Sequence, residues 1–140
     1  MPGIAGIISK NIANPYDDEL DAMLNCMMHE SFYLKRSYIQ RDDGIYIGWA
    51  GHNPYHSDGM ALSNLNNEII LAFAGDNPIN MSLNGKPADA SQQPERYSAD
   101  QMVRQYADHP AEFLKTLNGW FSGLLVDNTL QKAILFNDRY

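Results

Sequence analysis

The sequence is poor in cysteine, in cations and in long apolar runs. A single cysteine, Cys26, leaves no partner for an internal disulfide, so a disulfide framework is excluded. Ten lysines and arginines stand against seventeen aspartates and glutamates, a net charge of -7, and no basic run occurs. Nucleic acids and anionic lipid surfaces both require clustered cations, so neither nucleic acid nor membrane is expected as a partner. No apolar stretch approaches the roughly 20 residues of a membrane-spanning helix. The first residues also lack the basic region and long apolar segment of a secretion signal. The expected setting is the cytoplasm.

What is present is ordinary globular material. Apolar residues make up 44% of 140 positions and charged residues 19%, enough to build one core and too apolar for a disordered chain. The run Ile4 to Ile8 reads as a short buried strand. In DDELDAMLNCMMHE the residues Leu20, Met23, Leu24, Met27 and Met28 recur at helical spacing, with Asp17, Asp18 and Glu19 at the favourable end of the dipole. From Ser31 to Ala74 come short β-rich runs, SFYLKRSYIQ, GIYIGWAGH, MALSNL and EIILAFA, broken by turn residues. The links are too short for helical crossovers, so antiparallel pairing is expected.

A long polar loop is expected from Gly75 to about Arg96. Ser98-Ala99-Asp100-Gln101 has the form of a capping box and predicts a helix to about Ala107. AEFLKTL predicts a second, short helix ending at Asn118-Gly119. WFSGLLVD and KAILFND read as a hairpin around Asn128-Thr129. This order of elements predicts an α+β fold with layered antiparallel sheets. The residues expected in its core are Ile4, Ile7, Leu24, Ile47, Ile70, Leu71, Phe73, Phe121, Leu124 and Ile134.

Few residue patterns point to chemistry. His52 and His56 are four apart, but Pro54 makes their segment a turn and no acidic partner stands at the usual offset, so no metal site is expected. Cys26 has no basic neighbour in sequence to favour a thiolate and reads as an inert helix residue. His29 and His109 read as partners of helix C-termini. GWAG and SDGM lack the spacing and following helix of a phosphate loop, and no serine sits in an elbow-like context.

The two ends carry more. PGIAGII at the start and LNGWFSGLLVDNTLQKAILFNDRY at the finish resemble class II glutamine amidotransferase domains, as in the N-terminal half of asparagine synthetases. Members of that family begin Met-Cys-Gly-Ile-Ala-Gly and later carry Leu-Asn-Gly-x-Phe, a strand and an Asp-Arg hairpin. Leu117, Asn118, Gly119 and Phe121 fit the first of these later motifs, and Asp138 with Arg139 the second. The resemblance implies an N-terminal nucleophile hydrolase-like αββα sandwich. It also implies that the family's further strands and its ATP-dependent synthetase half lie outside these residues, so that the domain is incomplete.

The implied chemistry is glutamine hydrolysis by an N-terminal cysteine that supplies both thiol and amine. Here Pro2, exposed once the initiator methionine is removed, stands at the nucleophile position and has no attacking atom. The family's Asn-Gly oxyanion pair is matched by Ala74-Gly75, which keeps one donor at Gly75. The carboxylate that would hold the substrate amine is matched by Ala99, with Asp100 adjacent. The His-Arg-Gly-Pro-Asp segment is matched by His29 to Tyr33, with the histidine alone retained. The arginine expected between Trp49 and Asn53 is missing. Gly75, Asp76 and Asp100 are the remnant pocket.

The expectation is a domain that neither cleaves glutamine nor needs a cofactor. It would serve as a structural or docking unit for an asparagine synthetase-type ATP-dependent ligase domain, in cis or in trans. Homo-oligomerisation is left open. Two other readings stay on the page. The Pro2 amine could act as a general base or iminium catalyst, helped by Arg36, Arg41 or Tyr33. Alternatively, an unrecognised hydroxyl or thiol could reach the terminal pocket.

Overall fold

The computed structural model describes residues 3–51, 62–63, 68–76, 99–117 and 119–138. The first sheet holds β1 (Gly3–Ile8), β2 (Leu34–Gln40) and β3 (Ile45–Gly51) in the order β1-β3-β2. The second holds β4 (Leu62–Ser63), β5 (Ile69–Asp76), β6 (Trp120–Asp127) and β7 (Lys132–Asn137), each hydrogen-bonded to the next. Every pairing is antiparallel. Among the described residues three α-helices accompany them: α1 (Asp17–Met27), α2 (Ala99–Asp108) and the single turn α3 (Phe113–Thr116). The protein is α+β, as its sequence predicts.

Strand alternation shows how these elements layer. On β3, Ile45 and Ile47 join Ile70 and Ala72 of β5 and Leu124 and Val126 of β6 in one buried cluster between the sheets. The opposite face of β3 turns Tyr46 and Ala50 toward Leu20 and Leu24 of α1. On the far side of the second sheet, Leu71, Phe73 and Leu125 pack against Met102, Val103 and Tyr106 of α2 and Phe113 of α3. The layers therefore run helix, sheet, sheet, helices. Both central strands are buried on two faces, and β3 has no exposed residue.

Close approach of the sheets depends on Gly6. A Cβ there would lie 2.5 Å from Cδ2 of Leu124, so β1 rests almost directly on β6. Further along, Ile8 lines the same cleft as Val126 and Asp127. Going from Gly6 to Ile8 thus follows the path from Leu124 to Val126, and the two strands run in the same direction. The Gly3 end of β1 therefore lies at the end of the second sheet where Gly75 pairs with Phe121.

Several sequence expectations need correction. Among the described strands β1 lies at an edge rather than buried on both sides: Ala5 is buried, but Ile4 and Ile7 are half-buried and Ile8 is 50% exposed. Met23 leaves the expected stripe of α1 and is 42% exposed, because Leu20 and Leu24 already fill the contact with β3. The second helix shrinks to Phe113–Thr116, capped by the extended Leu117. The final hairpin turns over residues 128–131 rather than on two residues, with Gln131 at φ +49°. His29 lies beyond α1, whose last turn holds no basic residue. The loop expected from Gly75 to Arg96 lies, past Asp76, outside the described residues, as do His52 and His56.

One buried polar pair ties α2 to this framework. The Tyr106 hydroxyl donates 3.0 Å to Oδ2 of Asp127, while Oδ1 of Asp127 accepts from the Leu130 amide at 2.8 Å. Asp127 is 4% exposed, so both oxygens need these donors. Burial, followed by the hydrogen bond to Asp127, pushes the Tyr106 hydroxyl up to about 12 from its ordinary 10.0. A tyrosine raised in this way binds its proton more tightly when folded. Its contribution is complete below pH 10 and is lost as pH rises from about 10 to about 12. The alkaline loss should be on the order of 1–2 kcal/mol, discounted because Asp127 borders an open cleft. Chemical denaturation at stepped pH checks it. Tyr106→Phe should abolish that alkaline slope and cost about 1–3 kcal/mol at neutral pH, through the stranded carboxylate oxygen.

Candidate functional site

The resemblance directs attention to the end of the sandwich where β1 begins. Pro2 lies outside the described residues, but Gly3 is the first residue of β1 and pairs with Ala50 of β3. Gly75 and Asp76 end β5 opposite Phe121 and Trp120. Gly75 adopts φ +135°, and a Cβ on it would lie 2.1 Å from the Trp120 carbonyl oxygen. Glycine is thus fixed here by the backbone itself, whatever its part in chemistry. Ala74 is 5% exposed and, by alternation with Ala72 and Ile70, faces the first sheet. Its methyl offers no hydrogen-bond donor to an oxyanion.

Trp49 occupies the next position around this end. It alternates with Ile45 and Ile47, so its indole points between the sheets, and it pairs with Ile4 on β1 and Arg36 on β2. It is fully buried, and its Nε1 has no hydrogen-bond partner. Leaving that donor unsatisfied costs roughly 1–3 kcal/mol, which the burial of so large a ring offsets. A bulky apolar side chain therefore fills space in the segment where the resemblance expects an arginine to grip a carboxylate. Sequence reading noted the missing arginine but not the buried indole, because nothing local marks Trp49 as inward-facing.

The other candidates do not converge on this point. Asp100 stands in the first turn of α2, exposed and off the buried stripe of Ala99, Met102, Val103 and Tyr106. That helix packs on the outer face of the second sheet, away from the space between the sheets. Arg41 lies beyond the far end of β2 and is engaged by Asp17 through two hydrogen bonds, which raise its pKa further. Tyr33 is buried in the turn before β2. Cys26 is an exposed thiol on α1. Lys35 bonds Asp21 and Asn25 on that helix, and the bond from Lys35 draws the Asp21 carboxyl below its usual range.

One hydroxyl escaped the sequence reading. Ser122 pairs with Ala74, shares its inward face and is exposed at this end. Alternation along WFSGLLVD would have placed it on that face. Among the described residues it makes no hydrogen bond to a base, so nothing activates it as a nucleophile. The described residues also contain no cluster of three or more metal-binding side chains and no helix long and apolar enough to cross a membrane.

Among the described residues the arrangement is a strand-end turn at Gly75, with the inward-facing methyl of Ala74 beside it and the buried Trp49 indole on β3. No family model and no curated protein matches the chain.

Proposed function

We propose that this chain is a degenerate glutaminase-like domain of the class II amidotransferase kind, with an N-terminal nucleophile hydrolase-like sandwich and no capacity to hydrolyse glutamine. In this reading it is a structural or docking unit for an ATP-dependent, asparagine synthase-like amide-forming domain, joined in cis or bound in trans.

One observation carries most of the weight. The Gly75 turn stands at the same end of the layered sheets as the start of β1, yet Ala74 and Trp49 occupy the surrounding inward positions. The shared end of β1 and the Gly75 turn supports a remnant of the family's arrangement, and Ala74 supports the loss of one donor from it. Pro2 in place of the expected cysteine adds the missing nucleophile. Loss of one oxyanion donor alone costs roughly 10²–10³ in rate. With the nucleophile also lost, and no arginine between Trp49 and Asn53 to hold a substrate carboxylate, the reading predicts no turnover.

Incubation with glutamine should release glutamate no faster than a protein-free blank. Turnover that disappears when Pro2 is replaced would overturn the reading. An amide-forming partner working from glutamine nitrogen supplied by this domain would do the same, since the proposal requires that partner to take free ammonia or another amine.

A further inference from the structure

The last turn of α1 meets the start of β1 through a thioether. Met27 is half-buried and packs against the cluster of Ala5, Leu20, Leu24, Tyr46 and Ala50 that joins α1 to the first sheet. Its Sδ takes the space where a side chain on Gly3 would begin, 2.8 Å from the position of a Cβ there. Gly3 and Met27 are therefore complementary: glycine lets the strand come up to the sulfur, and the sulfur covers the beginning of the strand. Lys35 fastens another flank of α1 by bonding Asp21 and Asn25. The flank over β1 is fastened by apolar contact, and the last turn has neither a basic residue nor a glycine cap to hold it.

The chain's methionines differ in what a soluble oxidant can do to them. Met102 is 1% exposed and shielded, whereas Met23 is 42% exposed and lies outside the cluster. Met27 is both reachable and part of the packing. Hydrogen peroxide transfers one oxygen to a thioether. The S–O bond forms as the O–O bond breaks, sulfur gives up two electrons, and the rest of the peroxide leaves as water. The sulfoxide is polar and accepts hydrogen bonds. In the apolar seat over Gly3 its oxygen either stays without a donor or turns outward to water, and the second course draws the side chain off the strand.

We infer that Met27 is an oxidation-sensitive latch, whose conversion to the sulfoxide by a peroxide releases the last turn of α1 from the start of β1. The effect stays local, because β1 remains paired with β3 along its whole length and Gly6 still rests on Leu124. It is reversible, since enzymatic reduction of the sulfoxide restores the thioether. The inference stands independently of the glutamine reading.

Hydrogen exchange with peptide mass mapping tests it on the full chain carrying Cys26→Ser, so that thiol oxidation contributes nothing. Under graded hydrogen peroxide, Met23 should gain oxygen first and without consequence. As Met27 gains one, amides of residues 24–28 and of Gly3–Ala5 should exchange at least about fivefold faster, with those of β5 and β6 unchanged. Treatment with a methionine sulfoxide reductase should reverse the change. Met27→Leu keeps the volume of the seat and should abolish the response, while Met28→Leu should leave it. Oxidation of Met27 with no change in exchange overturns the inference. So does a Met27 as resistant as Met102, or a Met27→Leu chain that still loosens at β1.

Discussion

Gly75→Ala is expected to lower the free energy of unfolding by at least about 3 kcal/mol. At φ +135° an L-residue is strained in its own backbone, and its Cβ would meet the Trp120 carbonyl oxygen at 2.1 Å and the Phe121 Cα at 2.6 Å. Both contacts are main-chain atoms of the paired strand. They cannot move without parting β5 from β6, where each lost ladder bond removes about a further 1 kcal/mol. Gly6→Ala is the informative comparison, because its tightest neighbour, at 2.5 Å, is a terminal methyl of Leu124 and the nearest backbone atom is 3.7 Å away. A methyl can swing aside, so that variant should lose about 1–3 kcal/mol. Urea denaturation of the two variants should rank them in this order. If Gly75→Ala proves the milder, the strand-end turn is not built as described.

Phe113→Ala should cost about 3–5 kcal/mol, although its helix is only one turn long. The Phe113 ring is fully buried and meets Tyr106 edge-on at 5.6 Å and Phe136 edge-on at 5.9 Å. Removing it opens a cavity among three elements that cannot collapse without unseating α2 from β5 and β6. A domain of this size has a total stability of roughly 5–15 kcal/mol, so the variant should be largely unfolded at modest denaturant. Leu114→Ala, next door but 42% exposed, should change stability by less than about 1 kcal/mol. Equal effects at the two positions would contradict the packing of α3.

Much of this fold was legible from local pattern. The spacing of Leu20 and Leu24 gave α1, and the apolar runs separated by turn residues gave β3, β5, β6 and β7 within a residue or two. What stayed hidden is what depends on sheet order. Tyr46 and Trp49 are among the most buried side chains, yet β3 is covered on both faces and shows no alternation to mark them. Ile4 and Ile7 look like core residues in sequence, but β1 falls at an edge among the described strands, and no local signal says which strand will lie outermost. Tyr106 and Phe113 are buried because two separate helices converge on one face of β5 and β6.

The site divides along the same line. Identities that could be compared by position were readable, namely Pro2, Ala74, Ala99 and the missing arginine near Trp49. Orientation was not. Asp100 sits beside the expected carboxylate position in sequence, yet its helix lies on the outer side of the second sheet. The inward orientation of Trp49 follows only from the pairing of β3 with β1 and β2.

Intact-mass spectrometry after exposure to an electrophilic glutamine analogue tests the central claim most directly, because it asks whether any side chain near the start of β1 can attack. The account predicts the unmodified mass throughout, with the exposed Cys26 as the one thiol that harsh conditions would label. A stoichiometric adduct that glutamine protects against, mapped to Pro2, Ser122 or another residue at that end of the sandwich, would contradict it.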